Sequence, residues 1–171
     1  LKHGNAQHLF SLDDTYQKVS PHVMKKMTGG IKSNVLGVFT KPKPKALKEK
    51  VLVCENLQDP GNLGTLMRSA VGFGFYDVMC IGGVDPYHPR VISSSEGYFF
   101  HLNVHALKFE DAVKALNAYH HVLTQPGTVK NALPQKPLAV WLGNEGQGLT
   151  QDALSLKGSP WGIQTQTIES L

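Results

Sequence analysis

Short apolar runs alternate along this chain with stretches whose apolar positions recur every three to four residues. Residues 51–57 (VLVCENL), 77–83 (DVMCIGG), 120–125 (HHVLTQ) and 137–143 (PLAVWLG) are runs of the first kind and are predicted as strands. Residues 62–75 are of the second kind: Leu63, Leu66, Met67, Ala70 and Val71 fall on one helical face, and Gly72 and Gly74 close the helix. Residues 109–119 (FEDAVKALNAY) read as another amphipathic helix. Nearer the N-terminus, Ser20 followed by Pro21 supplies an N-cap and a first-turn proline for a short helix. A Gly29-Gly30 break and an apolar strand over 34–39 follow it. Apolar strands alternating with helices predict an α/β fold, a mostly parallel sheet with helices on both faces. No internal repeat interrupts this order.

Composition narrows the classes. The 171 residues are 41% hydrophobic and 18% charged, enough to bury a core, which excludes a disordered chain. No apolar run approaches the roughly 18 to 20 residues needed to cross a bilayer, and no basic-then-apolar leader opens the sequence. Two cysteines cannot form a disulfide scaffold or a four-cysteine zinc site. Cys54 and Cys80 each sit among apolar residues and read as buried free thiols of a protein from a reducing compartment.

The net charge of +4 is unevenly spread. Residues 1–50 carry ten Lys against Asp13, Asp14 and Glu49, whereas residues 51–171 carry seven basic and ten acidic side chains. A Lys/Pro run holds Lys41, Lys43, Lys45, Lys48 and Lys50, and such a segment attracts polyanions. Pro42 and Pro44 also suit a stiff, solvated linker, the reading that charge alone favours.

In parallel sheets ligands gather at the C-terminal ends of the strands. Three polar segments are predicted there: residues 58–62 (QDPGN), residues 143–148 (GNEGQG) and the C-terminal residues 167–171 (TIESL). Residues 72–77 (GFGFYD) begin like a dinucleotide fingerprint, but Asp77 replaces the third glycine and the helix-then-strand order is wrong. Residues 143–150 (GNEGQGLT) approach a phosphate loop, yet Leu149 stands at the lysine position and Glu145 would face the phosphates. His101 and His105 lie in a stretch of strand character, where alternation places both on one face, and they lack a zincin's acidic partner. His120 and His121, at a helix end, read as structural, and no metal site is expected.

Taken together, these segments resemble the SpoU/TrmH family of RNA 2′-O-ribose methyltransferases, of the SPOUT class. Residues 55–74 (ENLQDPGNLGTLMRSAVGFG) are similar to the family's first motif, with Asn62 and Arg68 six residues apart. Residues 138–150 (LAVWLGNEGQGLT) are similar to the second, including Glu145, and residues 168–171 (IESL) to the start of the third. Residues 85–104 are similar to the connecting segment between the first two motifs. The resemblance implies a SPOUT-type sheet with a C-terminal trefoil knot, formed by an apolar helix that the family carries beyond the point where this sequence stops, at Leu171. It implies two domains: residues 1–45, the end of an N-terminal RNA-substrate-binding domain plus a basic linker, and residues 46–171, the methyltransferase domain.

The implied reaction is methyl transfer from S-adenosylmethionine to a ribose 2′-hydroxyl of ribosomal or transfer RNA by a homodimer. It takes place in the cytoplasm, or in an organelle if a transit segment precedes Leu1. The resemblance assigns catalysis to Arg68, Asn62, Glu145 and Ser170. Cofactor binding falls to Gly143, Asn144, Gly148, Ile163 and Leu171, and contact with the target nucleotide to Arg68, while the charge run adds Lys41, Lys43 and Lys45 as RNA-binding residues. A guanidinium is a poor base, so Arg68 is expected to stabilise the forming alkoxide. Asn62 is expected to orient Arg68 or the ribose, or else to be no more than an N-cap. Glu145 is expected to hold the loop or to accept a hydrogen bond from an Asn or Arg. The alternative reading is a non-catalytic RNA-binding relative of the same fold.

Overall fold

A computed structural model describes residues 6–129 and 137–162. The chain forms two compact units, Leu1–Lys43 and Pro44–Leu171. In the first, strands β1 (His8–Ser11), β2 (Gln17–Lys18) and β3 (Val35–Val38) form a sheet in the order β2-β1-β3. Helix α1 (Pro21–Met27) starts as the sequence predicts: the Ser20 hydroxyl accepts the Val23 N–H, and Pro21 fills the first turn, where its missing N–H leaves no bond unmade.

The second unit contains a six-stranded sheet of β4 (Lys50–Glu55), β5 (Asp77–Ile81), β6 (Asn103–Leu107), β7 (His120–Val129), β8 (Leu138–Leu142) and β9 (Gly158–Gly162). Their order is β6-β5-β4-β8-β7-β9, and every pairing is parallel. Helices α2 (Pro60–Gly72), α3 (Pro89–Ser94), α4 (Phe109–Ala115) and α5 (Gln151–Leu154) cover it. Strand alternation divides the core in two. Val51 and Val53 of β4 join Met79, Ala139 and Trp141 on the face that α4 and α5 close with Ala112 and Ala153. Leu52 and Cys54 join Val78, Cys80 and Val104 on the opposite face, under Leu63 and Met67 of α2 and Val91 of α3. Both faces of the central strands are therefore dry, which is why they read as unbroken apolar runs.

Cys54 and Cys80 are buried free thiols in register across β4 and β5. The hydrogen bond that the Cys54 S–H donates to Cys80, together with burial, pushes the Cys54 thiol well above its ordinary pKa, away from nucleophilic chemistry. The Trp141 indole N–H donates to His121 Nδ1 at 2.9 Å inside the core, so His121 is structural, as expected.

Several boundaries differ from the sequence reading. Strand β4 ends at Glu55 because Asn56 turns into the left-handed region (φ 54°), which asparagine tolerates better than most residues. Helix α2 starts at Pro60, not at residue 62. Its N-cap is Asp59, whose carboxylate accepts the Asn62 N–H at 2.8 Å, so Asn62 is not the cap. His101 belongs to a 3₁₀ turn (Tyr98–His101) and only His105 to β6, so strand alternation does not pair them. The Lys/Pro run is also less linker-like than its charge suggests. The Asn103 amide brackets Lys45, accepting its N–H at 2.7 Å and donating to its carbonyl at 3.0 Å. The Lys48 N–H donates to Asp77, and the Tyr119 hydroxyl donates to the Lys48 carbonyl at 2.7 Å. Residues 45–48 are thus tied to the N-terminal ends of the strands. No described helix is long and apolar enough to cross a membrane.

Candidate active site

Strands β4 and β8 are neighbours, but their connections leave in opposite directions. The chain runs from β4 through α2 to β5 on one side, and from β8 through α5 to β9 on the other. Such a switch point opens a crevice beyond the C-terminal strand ends, where open α/β sheets bind ligands. Residues 56–59 after β4 and 143–150 after β8 line this position.

The second loop is a tight, self-closed structure. Asn144 and Gly148 exchange two backbone hydrogen bonds of 2.9 Å, and the Asn144 side chain accepts the N–H groups of Gly146 and Gln147. Its Nδ2 donates across to the Asn56 carbonyl at 3.0 Å. Gly148 holds φ 71°, and at Gly143 a Cβ would lie 2.1 Å from the Gly148 backbone. Only glycine permits that approach.

Glu145 reaches over this loop to the start of α2. Its carboxylate accepts the Asn62 Nδ2–H at 3.2 Å and lies 3.4 Å from the backbone nitrogens of Gln58 and Asp59, which also donate to it. Its own backbone N–H, then Asn62, Gln58 and Asp59, hold the carboxyl below the usual carboxylate range. Glu145 thus accepts a side-chain hydrogen bond, and its donor is Asn62.

Arg68 lies six residues further along α2, about 9 Å at 1.5 Å per residue. Its guanidinium pairs with Glu96 at 2.8 Å, so among the described members of the predicted set Asn62 and Glu145 are joined, while Arg68 pairs with a residue outside that set. Asn62, expected to orient Arg68 or the ribose, makes no bond to the guanidinium; its Nδ2 donates to Glu145. Sequence reasoning missed Glu96, which follows α3 and adopts a left-handed backbone (φ 50°). It is brought there by close packing of α3 on α2: a Cβ at Gly64 would meet Ser94 Oγ at 2.0 Å and the Val91 carbonyl at 2.5 Å. A glycine inside an otherwise strong helical pattern hints at a close approach to α2 but does not identify Glu96 as the partner of Arg68.

Lys41 and Lys43 belong to the first unit and Lys45 to the second. Ser170, Ile163 and Leu171 lie outside the described residues, as does the segment expected to form the knot. Among the described residues no three His, Cys, Asp or Glu side chains group to hold a metal ion.

Residues 49–171 match the SpoU rRNA Methylase family. Over 81 residues the chain is 37% identical to rRNA methyltransferase 3, mitochondrial, of Mus musculus, covering 41% of this chain and 19% of that protein. Over 110 residues it is 33% identical to the 23S rRNA (guanosine(2553)-2'-O)-methyltransferase RlmP of Bacillus subtilis, covering 61% and 44%. The chain thus spans less than half the length of these two relatives. The fold is like that of the AdoMet-bound rRNA methyltransferase of Sinorhizobium meliloti, with a TM-score of 0.79 at 21% identity, over 97% of this chain and 74% of that one. With the sheet order, both motif loops and the family match over its second unit in agreement, the chain belongs to the SpoU rRNA methylase family.

Proposed function

We propose that this protein transfers a methyl group from S-adenosylmethionine to a ribose 2′-hydroxyl in ribosomal or transfer RNA. The observation that carries this reading is the Asn62–Glu145 hydrogen bond across the switch point, with Arg68 on the same helix as Asn62. The names of the Bacillus subtilis and Sinorhizobium meliloti proteins support the reaction and the cofactor.

The loop's acceptor set suits that cofactor. The N–H groups of residues 144–148 are satisfied within the loop, so the loop's carbonyl groups would accept from the adenine amino group, with glycines that allow close approach. Gly143, Asn144 and Gly148 would hold it, together with Ile163 and Leu171. When bound, S-adenosylmethionine supplies an electrophilic methyl on a sulfonium, needing only an in-line acceptor. Arg68 would bind the target phosphate and ribose and stabilise the alkoxide as the O–CH3 bond forms and the S–CH3 bond breaks. The hydroxyl proton passes to solvent or to a phosphate oxygen of the RNA. Asn62, held through Nδ2 by Glu145, keeps Oδ1 for the ribose, and Ser170 would bond near the acceptor. Such positioning and electrostatics suffice for this chemistry.

Lys41, Lys43 and Lys45 would contact RNA phosphates. Residues 1–45 would be part of a substrate-binding domain, and residues 46–171 the catalytic domain of a homodimer with a knotted C-terminus. The site of action would be the cytoplasm or an organelle, the latter supported by the mitochondrial name of the mouse relative. The test is to map 2′-O-methyl sites on total RNA with and without the protein, and to restore any lost site with purified protein and labelled cofactor. A map that does not change would overturn the reading.

A further inference from the structure

Glu55 is a buried carboxylate that the proposed chemistry does not use. It is the last residue of β4 and is 2% exposed. Both its oxygens are taken by one residue of the opposite loop. Oε2 accepts the Thr150 N–H at 2.9 Å, and Oε1 accepts the Thr150 hydroxyl at 2.6 Å. The Thr150 oxygen in turn accepts the Ala153 N–H as the N-cap of α5. A carboxylate buried this deeply is costly to the fold unless fully paired, and here the pairing joins two segments 95 residues apart. The loop of residues 143–150 is therefore pinned to the end of β4 at three levels: Thr150 to Glu55, Asn144 to the Asn56 carbonyl, and Glu145 to the start of α2.

We infer that Glu55 is a positioning residue which, through Thr150, sets the cofactor loop against the acceptor end of α2. This inference rests on the proposed function. Glu145, the upper attachment, is exposed and its bonds are long, whereas the Glu55 attachment is buried and short. The lower one fixes the loop's conformation before any ligand arrives, and preorganisation of this kind raises affinity by lowering the ordering needed on binding.

The test is calorimetric titration of S-adenosylmethionine into the full-length protein and its Glu55→Gln, Thr150→Val, Thr150→Ser and Glu55→Gln/Thr150→Val variants. Thermal melting and amide exchange of residues 146–150 are measured alongside. Glu55→Gln and Thr150→Val should each weaken binding about 10-fold or more and speed exchange in the loop, at temperatures where the protein stays folded. The double variant should be no worse than the weaker-binding single one, since both remove the same interaction. Thr150→Ser keeps hydroxyl and N–H and should bind like the unaltered protein. A lowered melting temperature with cofactor affinity within twofold of normal would make Glu55 a merely structural residue, as would additive losses in the double variant. If Glu55→Gln fails to fold, the Thr150→Val and Thr150→Ser pair decides on the same criteria. If the unaltered protein itself binds no cofactor, the proposed function falls and this inference with it. Binding that the variants leave unchanged overturns this inference alone.

Discussion

Arg68 holds its charge on a helix flank where half of the side chain meets solvent, paired with an equally accessible Glu96. An exposed ion pair of this kind contributes little to stability, roughly 0 to 1 kcal/mol. It is therefore free to exchange Glu96 for an RNA phosphate, which the planar guanidinium can grip through two parallel bonds. Arg68→Ala should reduce methyl transfer by about 100- to 1000-fold, the range for losing one preorganised donor. Cofactor affinity and melting temperature should stay near normal, because alanine suits a helix interior and no core contact is removed. Arg68→Lys should recover little, since an ammonium is a point charge without the two-pronged geometry. Transfer of labelled methyl, run beside thermal melting, measures all three, and near-normal turnover by a folded Arg68→Ala would exclude the assigned role. The resemblance marked Asn62, Arg68 and Glu145 without naming a bond between them, and the structure joins the first and last. The partner of Arg68 was not legible. Glu96 stands 28 residues further on in a left-handed turn, and no periodicity or spacing signals a contact made by two helices crossing at a glycine.

At the level of elements, what could be read was what repeats. The central strands are apolar on both faces and stood out as runs, and α2 stood out because five apolar residues share one face. Short elements gave no such pattern. Helices α3 and α5 span six and four residues, and β9 (GSPWG) is poor in apolar residues. They exist because the sheet covers them, and tertiary packing does not show in a window of sequence. The crevice loop sits between these cases: its glycines were visible, but not which of them is sterically required. Gly143 is required by space, since its Cβ would strike the Gly148 backbone, and Gly148 by its φ of 71°, whereas a Cβ at Gly146 would meet only the Asn144 side chain at 3.7 Å. Gly143→Ala should therefore force the loop away from the end of β8 and weaken cofactor binding by at least about tenfold, with some loss of stability. Gly146→Ala should leave both unchanged. Calorimetric titration of the two variants separates the cases, and equal affinities would show that the close approach is not needed for binding.

Over the whole molecule, charge is divided along the chain, with the positive excess in residues 1–50. If Lys41, Lys43 and Lys45 meet phosphates, replacing all three with Gln should lower the salt slope of RNA binding by about 2 to 3, at 0.7 to 0.9 per contact. A filter-binding series across salt concentrations reads that slope, and no change would leave these lysines as solubilising residues. A second global property is set by two histidines, the buried His121 and the half-buried His105. Burial, reinforced by the neighbouring His120, depresses the pKa of His121, and burial depresses His105 against the opposing pull of Asp77. A proton on His121 Nδ1 would set N–H against the Trp141 indole N–H, so the folded state resists it. The unfolded chain, with histidine near 6.5, then binds more protons than the native one below that pH. Stability contributed by these residues is complete above about 6.5 and is lost as pH falls from there towards the depressed native values. Carboxylates such as Glu145 titrate lower still, so the window between about pH 5 and 6.5 isolates the histidines. The melting temperature should fall between pH 7 and 5, and His121→Gln, which can accept the indole N–H without titrating, should flatten that fall. If both proteins lose stability equally across the window, the Trp141–His121 bond does not govern the acid sensitivity of the fold.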